Sequence, residues 1–364
     1  MDLRAIQISA GTTHSLALLE DGTVRSWGRD NNHQRMNIEG RVLQIAAAGN
    51  KSLALLEDGS VKELSYTAHG PIYNTYRYDE RRIIQIYIND LNSLVLLEDG
   101  TIHFRGFLLG GVNNIPNFGG RRVIQVVSKG STIFALLEDG TIRGWGNSID
   151  PEQLNIPNFD RVRVIQIDCG TAHSLALLEN GTVKVWGSNF AGQKILPDFG
   201  GVRVIKISCG KYHSLALLEN GTIKTWGRNN VYLLNQIPQF EGRRVTQISA
   251  GEDYSLALTE DGIIWGWGIN FAERLQIPRF SRQRAPPYDP TIPDFNISEE
   301  LTIANYQALK QRFECPQCHL NLKKVLLNCN HAFCETCSSV LSNCPTCTKL
   351  IIDKTVFHKK YYKY

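Results

Sequence analysis

An all-β body followed by a small cysteine-rich module is the fold class that this 364-residue sequence predicts. Three observations carry it. A glycine that closes a Glu-Asp-Gly or Glu-Asn-Gly triplet recurs at 22, 59, 100, 140, 181, 221 and 262, with spacings of 37, 41, 40, 41, 40 and 41 residues. Short β-branched runs stand on either side of each triplet. Seven of the nine cysteines crowd into the 33 residues from Cys315 to Cys347.

Each repeat has one internal grammar. A β-branched run such as Arg163-Val-Ile-Gln-Ile167 ends near Cys-Gly or Ala-Gly. An alternating run such as Ser174-Leu-Ala-Leu-Leu178 follows. The Asp-Gly or Asn-Gly pair then favours the positive φ angles of a tight hairpin turn. A third run, such as Thr182-Val-Lys-Val-Trp-Gly187, completes the unit. A looser Ile-Pro or Leu-Pro segment closes most units and leaves room for a short edge strand, where proline is tolerated. Three clear strands and a short fourth in about 40 residues is the content of a propeller blade. Such a sheet cannot bury both faces alone, whereas seven stacked radially give every sheet two neighbours. An open β-solenoid is the alternative, but it wants terminal caps and none is visible.

The carriers Cys169-Gly170-Thr-Ala-His173-Ser-Leu-Ala-Leu-Leu-Glu-Asn-Gly181, Trp186-Gly187 and Gly192-Gln193, with Cys209-Gly210-Lys-Tyr-His213 and Trp226-Gly227, resemble the regulator-of-chromosome-condensation repeat family. The resemblance covers residues 1 to about 280 and implies an all-β seven-bladed propeller. His14, His173 and His213 share one repeat position, filled elsewhere by Lys51, Asn92, Thr132 and Tyr254. One per blade keeps them apart, so they read as structural hydrogen-bonding groups rather than convergent metal ligands. Trp27, Trp145, Trp186, Trp226 and Trp267 read as packing residues between blades. Cys169 and Cys209, which alternate with Ala10 and Ala250, read as small buried side chains rather than catalytic thiols. The second unit departs from the pattern, with Leu64-Ser65 in place of Trp-Gly and a run carrying Tyr66, Tyr73, Tyr76, Arg77 and Tyr78. Tyr and Arg dominate interaction hot spots, which makes this run a candidate partner patch. The competing reading is a degenerate blade with a tolerated loop.

Residues 281–297 hold Pro286, Pro287, Pro290 and Pro293 and read as a semi-stiff linker. Ser298-Glu299-Glu300 opens a predicted helix whose Leu301, Tyr306, Leu309 and Phe313 share a face. It leads to Cys315-x2-Cys318-x10-Cys329-x-His331-x2-Cys334-x2-Cys337-x6-Cys344-x2-Cys347. Eight soft ligands in four close pairs suit two tetrahedral Zn²⁺ ions. With all eight used, no position stays open to substrate, so the zinc is structural. A segment this short has almost no apolar core, and metal binding must supply much of its folding free energy. Another double-zinc module, such as a nucleic-acid-binding knuckle, remains an alternative.

The ligand order, with Val325-Leu326-Leu327-Asn-Cys329-Asn330-His331-Ala332-Phe333-Cys334 and Cys344-Pro345-Thr346-Cys347, resembles the RING finger family over residues 312–352. The resemblance implies a small α+β cross-brace. In it Cys315, Cys318, Cys334 and Cys337 hold one zinc, and Cys329, His331, Cys344 and Cys347 the other. It implies a ubiquitin-protein ligase that works by proximity and orientation, without a covalent ligase intermediate. Conjugating-enzyme contacts would fall at Pro316, Gln317, Leu341, Pro345, Thr348 and Lys349. Gln317, Leu341 and Thr348 depart from the family, which often has an apolar residue, a large aromatic and a basic residue there. A non-catalytic scaffold is therefore a second reading. A nucleotide-exchange factor for a small GTPase is a third, disfavoured by the short repeats.

Charge fits this division. Residues 1–280 balance 28 basic against 28 acidic side chains, and the net +4 falls in residues 298–364. The polybasic stretch is confined to the C-terminal tail, so nucleic acid is not the expected partner. That tail ends in Tyr361, Tyr362 and Tyr364, and in some RING proteins a C-terminal aromatic serves dimerisation, so a homodimer through this region is an expectation. No run approaches the ~18 apolar residues of a membrane helix and no signal peptide is visible. An intracellular protein, cytoplasmic or nuclear, with no membrane partner is expected. Its partners would be a conjugating enzyme, ubiquitin and a protein substrate on the propeller.

Overall fold

The computed structural model describes residues 3–28, 38–67, 70–78, 81–106, 115–228, 234–269 and 275–278. It also describes the backbone of 324–327, 332–334 and 354–356, and only the backbone of 66 and 67. The chain divides into two compact units, Met1–Phe295 and Asn296–Tyr364. Among the described residues no helix is long and apolar enough to cross a membrane.

The first unit contains seven antiparallel sheets, one per repeat. They are β1–β3 (Ala5–Ala10, His14–Leu19, Val24–Gly28), β4–β7 (Val42–Ala48, Lys51–Leu56, Val61–Thr67, Gly70–Tyr76) and β8–β10 (Ile83–Ile88, Asn92–Leu97, Ile102–Gly106). They continue with β11–β13 (Val123–Lys129, Ser131–Leu137, Ile142–Asn147), β14–β16 (Val164–Cys169, His173–Leu178, Val183–Gly187), β17–β19 (Val204–Cys209, His213–Leu218, Ile223–Gly227) and β20–β22 (Val245–Ala250, Tyr254–Thr259, Ile264–Gly268). The seven sheets are blade-like, as the repeat count requires.

Each second strand is buried along its whole length in β2, β9, β15, β18 and β21. It is flanked by strands in its own sheet and by a neighbouring sheet on each face. Leu16, Leu18, Ala54 and Leu64 pack between the first and second sheets, and Leu175, Leu177, Ala216 and Leu218 between the fifth and sixth. The Asp-Gly and Asn-Gly turns take the form expected, with φ near +83° at Gly22, Gly140, Gly181, Gly221 and Gly262. A carboxylate or amide one residue earlier braces the turn, as when Thr141 N–H donates to Asp139 Oδ1 at 2.9 Å.

The ring closes. Ala5, Ile8 and Ala10 of the first sheet pack on Tyr254, Leu256 and Leu258 of the seventh. This excludes the open solenoid. Among the described residues the first sheet draws all three strands from the N-terminal end, so closure there rests on side-chain packing and hydrogen bonds rather than on a strand borrowed from the other end.

The expected short fourth strand is corrected in the fourth and fifth sheets, whose following segments 148–163 and 188–203 are described throughout and hold no strand. Among the described residues it exists only in the second sheet, as β7. Elsewhere the third strand ends at or just after a left-handed glycine, at Gly28, Gly106, Gly146, Gly187, Gly227 and Gly268. At Gly187 an added Cβ would lie 2.5 Å from the Ala172 carbonyl oxygen, so no larger residue fits. The second repeat has Ser65 there, and β6 runs on to Thr67 and pairs with β7. The Ile-Pro segments serve instead as covers. Ile156, Phe159 and Val162 pack on the fourth–fifth junction, and Ile237 and Phe240 on the sixth–seventh. Proline has no N–H to give a ladder, which suits a cover better than a strand.

In the second unit, β23 (Lys324–Leu327), β24 (Ala332–Cys334) and β25 (Lys354–Val356) form one antiparallel sheet in the order β24-β23-β25. The predicted helix over 298–313 and the linker 281–297 lie outside the described residues.

Candidate functional site

The second sheet is where the repeat pattern breaks, and three departures from it meet there. Lys51 stands at the histidine position, Glu63 at a position otherwise filled by neutral residues, and Ser65 at the terminating glycine. Glu63 is buried and accepts from Ser65 Oγ and Ser93 Oγ, both at 3.0 Å, with Lys51 Nζ 4.0 Å away. The buried charge is thus paired and hydrogen-bonded, as burial demands.

The candidate patch divides among several environments. Tyr73, in the middle of β7, is 59% exposed, and its neighbour Ile72 is 47% exposed. Tyr76 is half-buried beneath the Arg105 guanidinium, whose carbon lies 3.9 Å from the ring centroid. Tyr78 is buried, with its ring 4.8 Å from that of His103. Burial pushes the Tyr76 and Tyr78 phenols above their usual range. Arg77 pairs with Asp58 at 2.6 Å on the surface. Two hydrogen bonds from Ser60, joined by Arg77, hold the Asp58 carboxyl down at about 2. Tyr66 lies in β6 opposite Pro71, and its side chain is outside the described residues. Tyr73 and Arg77 are therefore surface groups, Tyr76 the base of a cation–aromatic stack, and Tyr78 a core residue. Arg105, absent from the sequence-based patch, joins it from the third sheet. Arg105 stands where five other repeats carry tryptophan, so its departure was visible, but its partner was not, because the stack spans two repeats.

The histidines take the structural role expected. His14 Nε2 lies 2.8 Å from Ser52 Oγ, His173 Nε2 2.9 Å from Ser214 Oγ, and His213 Nε2 3.0 Å from Ser255 Oγ. Each links its sheet to the next. Burial lowers their pKa to about 4, 4 and 3, so the rings are neutral. All five repeat tryptophans are buried, and the indole N–H of Trp186 donates to the Gln153 carbonyl at 2.7 Å. Burial raises both Cys169 and Cys209 thiols well above their ordinary range, which fits inert side chains.

Sequence reasoning missed a belt of glutamines on the first strands. Gln7 accepts from Ile45 N–H at 3.0 Å and donates to the Ile45 carbonyl at 3.2 Å. Gln85 bridges Val126 in the same way, Gln125 bridges Ile167, and Gln166 bridges Ile207. Each amide satisfies the free backbone edge of the next sheet. The signal was available, since a glutamine recurs there in six repeats and Lys206 replaces it in the other. On the same edge Asp168 accepts from Cys169 N–H at 2.9 Å and Cys209 N–H at 2.8 Å, with Tyr87 Oη 3.5 Å away. Burial nevertheless lifts its carboxyl to about 6.

Of the proposed zinc ligands, Cys334 falls at the end of β24, with its backbone alone described. Cys315, Cys318, Cys329, His331, Cys337, Cys344 and Cys347 lie outside the described residues. So do Pro316, Gln317, Leu341, Pro345, Thr348 and Lys349.

Residues 5–34, 164–193, 204–232 and 245–272 match the Regulator of chromosome condensation (RCC1) repeat. No curated protein matches the chain. Among solved structures, human WBSCR16 is 19% identical, with 72% of this chain and 88% of that one covered and a TM-score of 0.58. The ectodomain of the Physcomitrella patens receptor kinase CR4 is 14% identical, with 73% of each chain covered and a TM-score of 0.59. The CRINKLY WD40 ectodomain of the Arabidopsis thaliana receptor kinase ACR4 is 14% identical, with 76% and 99% covered and a TM-score of 0.59. These likenesses are ones of fold. The first, fifth, sixth and seventh sheets are thus built on repeats of the regulator-of-chromosome-condensation type, within a ring of seven.

Proposed function

We propose that this chain is a RING-type ubiquitin ligase. In this reading the ring of sheets holds a protein partner, and the cysteine-rich module holds a ubiquitin-charged conjugating enzyme beside it. The observation that carries the proposal is the run of eight ligands from Cys315 to Cys347, whose order and spacing match a RING finger. Cys315, Cys318, Cys334 and Cys337 would hold one structural zinc, and Cys329, His331, Cys344 and Cys347 the second. Pro316, Gln317, Leu341, Pro345, Thr348 and Lys349 would face the conjugating enzyme.

The chemistry asks little of the ligase itself. A substrate lysine amine attacks the thioester carbonyl on the conjugating enzyme. An isopeptide bond forms, the thioester breaks, and the conjugating-enzyme thiol leaves with a proton. The ligase contributes proximity and orientation, which are worth large factors once both reactants are held. A rigid ring with variable surface segments suits the holding role.

The test is a reconstituted reaction with full-length protein, a panel of conjugating enzymes and ubiquitin. Chains should form with the wild type and vanish with Cys329→Ala/His331→Ala. Absence of transfer across the panel, with two zinc ions bound per chain, would leave a non-catalytic scaffold. The match to the Regulator of chromosome condensation repeat favours one further reading, nucleotide exchange on a small GTPase. Release of bound nucleotide at the intrinsic rate would remove it.

A further inference from the structure

We propose that the outer edge of β7 is a docking site for an extended peptide segment of a partner protein. The peptide would add as a fifth strand to the second sheet. β7 is the last strand in the order β4-β5-β6-β7, so its outer backbone edge has no partner strand among the described residues. Pairing with β6 runs Thr67 to Gly70, Tyr66 to Pro71, Ser65 to Ile72, Leu64 to Tyr73, Glu63 to Asn74, Lys62 to Thr75 and Val61 to Tyr76. Proline has no N–H, so Pro71 belongs to the set of residues whose backbone points away from β6. The alternation of an antiparallel ladder puts Tyr73 and Thr75 in the same set. Their N–H and C=O groups form a row of donors and acceptors that an extended chain would satisfy.

Pro71 blunts the N-terminal end of this edge, but among the described residues the rest of it lacks the usual protection. Edge strands are commonly blunted by charges, by bulges or by covering elements. From Ile72 to Tyr76 this strand carries no charged side chain, and both Ile72 and Tyr73 are about half exposed. The cations lie at its C-terminal end. Arg105 sits over Tyr76, Arg77 follows the strand, and Lys62 lies opposite Thr75 on β6. Among the described residues, Arg77 alone of these three pairs with a carboxylate, that of Asp58. The complementary segment therefore has aliphatic or aromatic residues beside Ile72 and Tyr73, and carboxylates beside Tyr76, Arg77 and Arg105. An acidic and apolar extended peptide is the occupant we assign.

This deepens the partner-holding half of the proposed function, yet it needs no ligase activity. Peptide capture and ubiquitin transfer therefore fail independently. The test selects binders to the full-length protein from a randomised twelve-residue peptide library, then measures them by fluorescence anisotropy. Thr75→Pro removes one outward N–H while leaving the β6 face of the strand alone, and Arg105→Gln removes the stacked cation. Selected peptides should pair acidic with apolar residues and lose at least tenfold in affinity to each variant, with the urea midpoint of the protein retained. Tyr73 and Thr75 amides should gain hydrogen-exchange protection in the complex, a readout that holds even if Thr75→Pro folds poorly. Three results would overturn the proposal. One is a library that yields no binder, another is binders indifferent to both variants, and the third is a dimer of the free protein that Thr75→Pro dissolves.

Discussion

The hydroxyls of Ser15 and Tyr254 lie 2.8 Å apart, although 239 residues separate them in the chain. The Tyr254 hydroxyl also reaches the His14 carbonyl oxygen at 2.9 Å. Tyr254 occupies in the seventh sheet the position that histidine occupies in the first, fifth and sixth. It makes the same reach to the next sheet, which here is the first. The seam of the ring is thus built from the same device as three of its internal junctions, with a longer side chain.

Tyr254→Phe keeps the ring in place and strands the Ser15 hydroxyl in a buried site. A loss of about 1–3 kcal/mol is expected, the usual cost of an unsatisfied buried polar group. Adding Ser15→Ala should recover part of it. Urea unfolding of the single and double variants checks this, and strict additivity of the two losses would contradict it.

The buried histidines make the ring acid-sensitive. Their native pKa values of about 4, 4 and 3 lie below the unfolded value of 6.5, so the unfolded chain binds protons first. Their contribution is complete above pH 6.5 and is lost as pH falls toward 4, at up to about 1.4 kcal/mol per pH unit for each ring. Asp168 works in the opposite direction, because burial raises it to about 6 and the native state takes up its proton first. With three histidines against one carboxylate, the denaturation midpoint should fall between pH 6.5 and 4. His173→Asn should flatten the slope, and an unchanged slope would refute the assignment.

Two glycines separate backbone strain from steric exclusion. Gly187 and Gly200 both have positive φ, at 90° and 63°. An added Cβ at Gly200 meets nothing within 4 Å, whereas at Gly187 it lies 2.5 Å from a carbonyl oxygen. Gly200→Ala should cost about 1–2 kcal/mol for the left-handed conformation alone. Gly187→Ala should cost a further ~1–3 kcal/mol through overpacking. Thermal melts of the two variants make the comparison.

Lys206 breaks the glutamine belt. Its Nζ donates to the Thr246 carbonyl at 2.9 Å, but an ammonium cannot accept from the Ile248 N–H as the glutamines do at other junctions. Burial also lowers its pKa. Lys206→Gln should stabilise the ring by about 0.5–1.5 kcal/mol, the net worth of one hydrogen bond. A lowered midpoint for Lys206→Gln would show that the lysine serves something other than this junction.

Chelation should separate the two units. Removing zinc from the full-length protein is expected to abolish ubiquitin transfer and leave the unfolding midpoint of the ring unchanged. In the proposed reading, metal binding would supply folding free energy to the cysteine-rich module alone. Circular dichroism melts with and without a chelator, run beside the transfer assay, read both halves.

The sequence by itself determined the features that depend on neighbouring residues. The Asp-Gly pairs dictate positive φ at the turns, and alternating apolar runs dictate buried strands, so the strand triplets and their count were legible. The one-per-blade placement of His14, His173 and His213 already implied a structural role. Tertiary structure decided what happens between repeats. The glutamine belt, the Tyr254–Ser15 seam and the Arg105–Tyr76 stack join residues about 30 to 240 positions apart, and no local rule sets their approach. The fourth strand lies between these cases. Ser65 in place of glycine was visible, but its meaning depends on the left-handed φ that the matching glycines adopt against a backbone carbonyl. That contact exists only once the second and third strands are paired.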